Sequence, residues 1–322
     1  MLRFSALVCP GCGAPLPSEA LLRVVTCAFC GASVAAEDGL VSAAAFRRAQ
    51  AELDDEARER ADLSVGGVHY RVLGRVAAGE HSDVLLAERA HRIPERVILK
   101  VLRPGADEAA LDREWSALEA LHASSAQGAP QMTRRLPQLV ARGEASDAGR
   151  PALVFRAASG FVHTLEDVKR AHPGGVDARH AMWMWRRILE LLGFVHRSGF
   201  VHGAITPAHA LIHARDHGLM LVGWSAARRY AARGDDHAHR DDLAASARAI
   251  AHVMASGAPG PIAELVRASA SQPFREDDAW RLRDAVTHVA RQVYGPPAYV
   301  RLAMTELAGA RLRARGRAER PS

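Results

Sequence analysis

The sequence contains very little lysine, no long apolar run and no cysteine after residue 30. No stretch approaches the ~18 consecutive apolar residues of a membrane-spanning helix, and the first residues are too poor in apolar side chains for a secretion signal. We therefore expect a cytoplasmic protein without a membrane partner. The 322 residues are 48% hydrophobic and 24% charged, which excludes a disordered or fibrous chain and is typical of about two folded domains.

Two of the 42 basic residues are lysines, Lys100 and Lys169, and the others are arginines. In a composition that prefers arginine, a lysine that remains is a candidate for a site that needs a compact ammonium group. The formal net charge of +6 is mild for this length and does not by itself indicate a nucleic-acid partner.

The cysteines form two C-x-x-C pairs, each followed by a glycine: Cys9 with Cys12 and Cys27 with Cys30. Four thiolates in two close pairs match tetrahedral zinc, and a four-cysteine site leaves no open coordination position. We therefore predict a structural Zn²⁺ that supplies the folding energy of a segment too small to build its own core. Two disulfides are the alternative, which a reducing cytoplasm disfavours.

Residues 5–36, which contain these pairs, resemble the zinc-ribbon family. The resemblance implies a module that binds protein or nucleic acid. The only charged donors here are Arg23 within the segment and Arg3 just before it, which favours a protein partner.

The remainder of the chain changes character along its length, and the changes suggest domain boundaries. Residues 41–63 are rich in Ala, Glu and Arg and predict one connecting helix, which Gly66 and Gly67 end. Short β-branched runs follow up to about Val101, and helical patterns cover 107–122, 178–198, 241–256 and residues beyond 276. Strands followed by helices predict an α+β fold with two lobes. The predicted domains are a zinc ribbon (1–38), a helical linker (39–66), a larger domain (67–304, lobes 67–157 and 158–304) and an Arg-rich tail (305–322).

Seven segments from Tyr70 onward resemble the protein-kinase fold, in the family's order. They cover about 235 residues. They are YRVLGRVAAGEHSDVLLAE, VILK, DREWSALEALH, the strand pair PQLVARG and RPALVFR with a hinge near 156–159, GFVHRSGFVHGAITPAHALI, LMLVGWSAA and HRDDLAASARAI. The resemblance implies a helix-F aspartate at Asp242, and a packed column of Leu118, His202 and Trp224.

The resemblance also implies a nucleotide site, although an incomplete one. The phosphate-covering loop would comprise Ala77, Gly79, Ser82 and Val84, which keeps only the middle glycine of three. Lys100 takes the place of the third-strand lysine and Glu114 that of its helix-C partner. ATP bound without Mg²⁺ and a purely structural strut between Lys100 and Glu114 are both open interpretations.

The residues that catalyse phosphoryl transfer in this family are absent. Ala204 replaces the aspartate that orients the attacking hydroxyl, and Thr206 replaces the lysine at the transferring phosphate. His209 replaces the magnesium-binding asparagine, and Gly223 replaces the metal-binding aspartate. Imidazole is a poor ligand for a hard, oxygen-seeking cation, so Mg²⁺ binding is not expected.

The sequence therefore favours a catalytically deficient kinase-like protein, a pseudokinase, that binds or regulates a protein partner in signalling. A divergent Ser/Thr-kinase-family phosphotransferase that binds ATP is the first alternative. A nucleic-acid-binding protein that uses the ribbon and the arginines of residues 305–322 is the second.

Overall fold

The computed structural model describes residues 62–89, 95–147, 149–230, 237–271 and 278–304, together with two short strands near the N-terminus. The chain divides into two compact units, Met1–Ala61 and Asp62–Ser322. In the first unit, β1 (Val24–Thr26) pairs antiparallel with β2 (Ser33–Ala35). Cys27 and Cys30 belong to the stretch of sequence between these strands. The four cysteines, residues 41–61 of the predicted linker helix and the tail 305–322 lie outside the described residues.

Six strands of the second unit form a closed barrel, with the order β3-β4-β5-β6-β8-β7. Along β6, Val97, Leu99 and Val101 are buried, while Ile98 and Lys100 alternate with them on the other face, as the two-residue period of a strand requires. The barrel strands are β3 (Asp62–Val65), β4 (Val68–Ala78), β5 (Ser82–Arg89), β6 (Glu95–Leu102), β7 (Leu139–Ala145) and β8 (Arg150–Arg156).

Strand β3 corrects the sequence-based expectation that a helix extends through residue 63. Asp62–Val65 pairs with the start of β4 through a tight turn in which Gly66 and Gly67 both have positive φ, +58° and +79°. Two such residues suit a two-residue hairpin turn, which glycine adopts without steric cost. Val65 also pairs with Ala145 of β7 and thereby closes the barrel. Hairpin pairing therefore outweighs the helix preference of the preceding Ala- and Glu-rich sequence.

Helices dominate the rest of the second unit, and the three helices predicted with both ends are present. These are α1 (Ala109–His122), α4 (Ala178–Arg197) and α5 (Ala238–Val253); the others are α2 (Ala129–Met132), α3 (Leu165–Ala171), α6 (Gly260–Ala270) and α7 (Ala279–Tyr294). Five short strands accompany them. Strand β9 (His163–Thr164) precedes α3, and four strands lie between α4 and α5: β10 (Phe200–Val201), β11 (Ala210–His213), β12 (Gly218–Leu221) and β13 (Arg228–Arg229).

Buried hydrophobic residues form two clusters, one inside the barrel and one among the helices. Helix α4 is the centre of the second cluster, because most of its side chains from Ala181 to Val195 are buried. Among the described residues, no helix is both long enough and apolar enough to cross a bilayer.

Candidate functional site

The predicted nucleotide-site residues of the barrel share one face of the sheet. Val84 lies opposite Lys100 across β5 and β6, and Ala77 lies opposite Val84 across β4 and β5. Directly opposed residues point to the same side of a sheet, so these three side chains are neighbours. The Lys100 ammonium forms an ion pair with the Glu114 carboxylate of α1, and the side chain of Glu114 is only 3% exposed. This ion pair joins the barrel to the helix.

The hairpin that the sequence analysis assigned to the phosphate-covering loop is short and tightly closed. Ala77 lies within β4 and Ser82 within β5, which leaves only residues 79–81 between the strands. The Gly79 N–H donates to the Ser82 carbonyl at 2.8 Å, so this amide is not free to bind a phosphate. Arg103 fixes the hairpin from outside by donating to the Gly79 carbonyl and to Asp83, both at 3.0 Å.

Asp242 anchors the loop in which the sequence analysis predicts that the catalytic groups are absent. Its carboxylate accepts the backbone N–H groups of His202 at 2.8 Å and Gly203 at 2.9 Å, and it contacts Nε2 of His196 at 3.1 Å. Burial alone would raise the pKa of Asp242, but the hydrogen bond and charge of His196, with those of His202, hold this pKa below its ordinary value. The aspartate is therefore ionised and holds the loop on α5.

His202 packs into the interior against Trp224. The two ring centroids are 4.5 Å apart, both residues are 0% exposed, and Nε2 of His202 lies 3.2 Å from the Val222 carbonyl. Burial lowers the pKa of His202 to about 4, so the imidazole is neutral at pH 7. Leu118 of α1 is also fully buried. The residues that were expected to form a packed column are therefore interior residues.

Three of the four positions at which the sequence analysis expects a catalytic group to be lost, Ala204, His209 and Gly223, lie close together. Nδ1 of His209 lies 2.6 Å from the Ala204 carbonyl, and the His209 carbonyl accepts the Val222 N–H at 2.9 Å. Gly223 has a φ of +81°, and a Cβ added there would lie 2.7 Å from two atoms of the His209 ring. Thr206 is exposed and its side chain caps no helix. Thus His209 fills the space into which a side chain at residue 223 would have to project.

Helix α1 is also attached to the segment that follows Gly223. The Arg113 guanidinium donates from Nε to the Ser225 carbonyl at 2.9 Å and from Nη2 to Asp107 at 2.8 Å. Together with the Lys100–Glu114 pair, this contact fixes α1 at two points. The sequence analysis missed both Arg113 and Arg103, because an arginine in an Arg-rich chain carries no local signal of a specific contact.

The donor set of this region contains few carboxylates. Glu114 is already paired with Lys100, and Asp242 is already bonded to the loop. Across the described residues, no group of three or more His, Cys, Asp or Glu side chains is arranged to hold a metal ion. These contacts connect helix α1, the barrel and the loop, and the His209 ring lies beside Gly223.

Comparisons with known proteins identify the fold only. No protein-family model matches the chain, and no curated protein matches it. Among the solved structures that match, the crystal structure of the BubR1 kinase domain has a TM-score of 0.55 and 14% sequence identity, over 72% of this chain and 83% of that one. At this identity the similarity concerns architecture and not activity. The chain therefore has a fold similar to that of a protein kinase domain.

Proposed function

We propose that this protein is a catalytically deficient kinase-like module, a pseudokinase, that acts by binding a partner. The observation that carries the proposal is the contact between His209 and Gly223, because the imidazole fills the space that a metal-binding carboxylate would need. Where a metal-binding aspartate is lost, a neighbouring oxygen donor could in principle take over its role as a metal ligand. Here the neighbour is an imidazole bonded to the loop backbone, which blocks the space without supplying an oxygen ligand.

Phosphoryl transfer depends on electrostatic stabilisation by magnesium and on a carboxylate that orients the nucleophile. The side chain of Ala204 offers no acceptor atom, and magnesium prefers oxygen ligands in near-octahedral geometry over imidazole. Removal of a general base alone typically costs about 10²–10⁴ in rate, and loss of the metal removes the larger contribution. The retained contacts, by contrast, are those that stabilise the scaffold.

Lys100 and Glu114 support one alternative, a phosphotransferase that still binds ATP. The half-buried ammonium of Lys100 could contact a phosphate, and its ion pair with Glu114 could equally serve as a strut. The closed hairpin favours the strut, since the Gly79 amide is already used within the hairpin.

A thermal-shift titration with ATP tests the proposal. Binding of Mg²⁺–ATP to the folded state would raise the melting temperature by mass action. We expect no such Mg²⁺-dependent shift, because the proposal leaves the protein without oxygen ligands for the ion. Lys100→Met serves as the matched variant, and Arg71→Met, an exposed barrel position, is its control. A Mg²⁺-dependent shift together with phosphate transfer that Lys100→Met abolishes and Arg71→Met preserves would overturn the proposal.

The N-terminal cysteines support a second part of the proposal, a structural zinc site. Cys27 and Cys30 lie in the sequence between two strands that pair antiparallel, which is a suitable position for one half of a four-thiolate site. Cys9 and Cys12 would supply the other two ligands, and the metal would hold the segment together. We propose a cytoplasmic protein whose ribbon adds a further surface for a protein partner.

A further inference from the structure

Helices α4 and α7 pack against each other and are strongly basic. They contain seven arginines and two acidic residues, a net charge of +5, whereas all 322 residues together have a net charge of +6. The aspartates that cap the two helices, Asp177 and Asp278, reduce the value for the pair to +3. At least half of the net charge of the chain is therefore located on one pair of helices.

Five of these arginines form a row along the junction of the two helices. The guanidinium carbon of Arg179, near the start of α4, lies 5.6 Å from the Tyr294 ring centroid, and that of Arg197, at the end of α4, lies 5.4 Å from the Trp280 ring centroid. Because Trp280 belongs to the first turn of α7 and Tyr294 to the last, the helices are antiparallel. We name the following residues the arginine row: Arg179, Arg186, Arg197, Arg283 and Arg291.

Helix geometry places the α4 members of the row on one face. Arg186 follows Arg179 by two turns and precedes Arg197 by three turns, since about 3.6 residues make one turn. At a rise of about 1.5 Å per residue, the row extends along about 27 Å of the helix. The α4 members therefore present their charges in a line and not as a single point.

The α7 members of the row lie close to Arg186, in the middle of the line. Antiparallel packing sets the centre of α4 opposite the turns of α7 that contain Arg283 and Arg291. Burial lowers the pKa of Arg186 and Glu190 opposes this effect, while the charges of Arg283, Arg187 and Arg291 lower the pKa further. Like charges are thus crowded around a half-buried guanidinium.

The carboxylates at the row are already used. Glu190, the only acidic residue of α4, accepts from Arg135 at 3.1 Å and from Arg187 at 2.9 Å. Two other ion pairs involve members of the row, Asp177 with Arg179 at 3.0 Å and Asp284 with Arg283 at 3.2 Å. Each of these carboxylates neutralises at most one member of the row.

Three members of the row, Arg186, Arg197 and Arg291, have no carboxylate partner among the described residues. The Nε atoms of Arg186 and Arg283 are buried and have no hydrogen-bond acceptor there either. Buried polar groups are ordinarily bonded, and clustered like charges repel one another. An anion that lies along the row would supply acceptors and relieve this repulsion.

We propose that the arginine row binds the sugar–phosphate backbone of a double-stranded nucleic acid, independently of its base sequence. A duplex carries one negative charge per ~1.7 Å of its axis, so it presents phosphates along the entire length of the row. Guanidinium groups make bidentate hydrogen bonds to phosphate oxygens. Contacts to the backbone fix a protein on a duplex without reading its bases.

The row provides charge without apolar anchors, which favours a nucleic acid over an acidic polypeptide. The core of a protein–protein interface is enriched in aromatic and other apolar side chains. The exposed large hydrophobic residues of the described structure are Val76, Val162 and Tyr299, and none of them belongs to α4 or α7. Binding driven by phosphate charge needs no such anchor.

The aromatic rings beside the row favour a duplex over a single strand. Proteins bind single strands largely by stacking bases on aromatic side chains. Here the Trp280 ring already carries the guanidinium groups of Arg197 and Arg283, and the Tyr294 ring carries that of Arg179. These rings therefore offer little surface on which a base could stack.

The inference goes beyond the proposed function, because neither His209 nor Gly223 belongs to the row. A Mg²⁺-dependent ATP shift would overturn the pseudokinase proposal and leave the row untouched. Failure of the binding experiment described next would have the opposite effect.

Fluorescence anisotropy with the full chain tests the row. The probe is a fluorescein-labelled DNA duplex of about 20 base pairs, which is longer than the row. We expect Arg186→Gln/Arg197→Gln/Arg291→Gln to weaken duplex binding about tenfold or more at ~50 mM salt. The slope of log affinity against log salt concentration should become shallower by about 2–3, because each lost phosphate contact removes about 0.9.

The control Arg71→Gln/Arg96→Gln/Arg267→Gln removes the same charge from exposed positions outside the row. Its salt slope should stay within about 0.5 of that of the unaltered chain, because these arginines contact no phosphate. Residues 305–322 are present in both variants, so a difference between them belongs to the row. Equal changes in both triple variants would overturn the proposal. Tighter binding of oligothymidylate or of a labelled glutamate-rich peptide than of the duplex would also overturn it.

Arginine footprinting of the unaltered protein provides a readout that does not depend on any variant folding. Phenylglyoxal reacts with accessible guanidinium groups, and mass spectrometry gives the extent of reaction at each arginine. Bound duplex should protect the exposed members Arg179, Arg197 and Arg291, while Arg71 and Arg267 keep their reactivity. Unchanged reactivity of the row in the presence of bound duplex would overturn the assignment of this surface.

Discussion

Asp242 and His202 are joined by a buried hydrogen bond of 2.8 Å, in which the carboxylate accepts the backbone N–H. The same carboxylate holds the Gly203 amide and contacts His196, so one side chain fixes the loop that contains Ala204 and His209. This loop belongs to a fold similar to that of a kinase domain.

Asp242→Asn should therefore destabilise the protein strongly. An amide keeps one acceptor oxygen but points a donor at another donor, so we expect a loss of about 2–3 kcal/mol in the free energy of unfolding. Urea denaturation measures this loss. Asp112→Asn is the control, because the Asp112 side chain is 79% exposed, and it should change stability by less than about 0.5 kcal/mol. Similar losses in the two variants would contradict the anchoring role.

The contact between His209 and Gly223 predicts energetic coupling. Gly223→Ala should cost about 3 kcal/mol, because the new Cβ meets the imidazole and the positive φ strains an L-residue. In a His209→Ala background the clash disappears, and the same substitution should cost about 1 kcal/mol from the backbone alone. A double-mutant cycle in urea gives the coupling. Additive effects would show that the ring moves aside freely.

Restoration of the missing carboxylates should fail while His209 remains. Ala204→Asp/Gly223→Asp is expected to show no Mg²⁺-dependent ATP shift, since residue 223 still meets the imidazole and no asparagine is present. Adding His209→Asn removes the ring and supplies an oxygen ligand, and this triple variant should bind Mg²⁺–ATP more tightly than the double variant. If the double and triple variants respond equally to Mg²⁺, His209 is not what prevents Mg²⁺ binding, and the prediction is wrong.

Ordered motifs made much of the scaffold predictable from the sequence. Lys100 and Glu114 lie 14 residues apart in the family's pattern, and the structure joins them. The clash of His209 with Gly223 was not predictable, because it depends on a positive φ and on ring placement that the residue types alone do not specify.

Strand β3 marks a different limit of the sequence analysis. Asp62–Val65 follows a segment rich in strong helix formers, so local propensity alone predicts a helix that continues past Asp62. The strand exists because Val65 pairs with both Val68 and Ala145, and only the second contact is distant in sequence. Pairing across the barrel therefore outweighs local propensity.

The buried His202 should make stability fall at mildly acidic pH. Its pKa is about 4 in the folded state and about 6.5 when exposed, so the unfolded chain binds a proton that the folded chain excludes. This penalty is absent above pH ~6.5, grows as the pH falls, and reaches about 2 kcal/mol near pH 5.

Burial also lowers the pKa values of His163, His180 and His217, so the full pH dependence has several sources. His202→Phe isolates one of them. We expect this variant to be less stable at neutral pH, because it loses the contact with Val222, but to lose about 2 kcal/mol less than the unaltered chain between pH 7 and pH 5. Urea unfolding measures the free energy of unfolding of both proteins at each pH. If the two lose the same stability between pH 7 and pH 5, His202 does not exclude the proton in the folded state.

The proposed zinc site predicts that loss of zinc unfolds the N-terminal unit and leaves the larger unit folded. Cys12→Ser should release one zinc per chain, as measured by elemental analysis, because three thiolates hold the ion far less tightly than four. The division of the chain after Ala61 leads us to expect an unchanged melting transition for residues 62–322 in calorimetry. Treatment of the unaltered protein with a chelator should reproduce both results. Retention of zinc by Cys12→Ser would exclude the four-cysteine site, and a joint loss of both transitions would show that the zinc supports the larger unit as well.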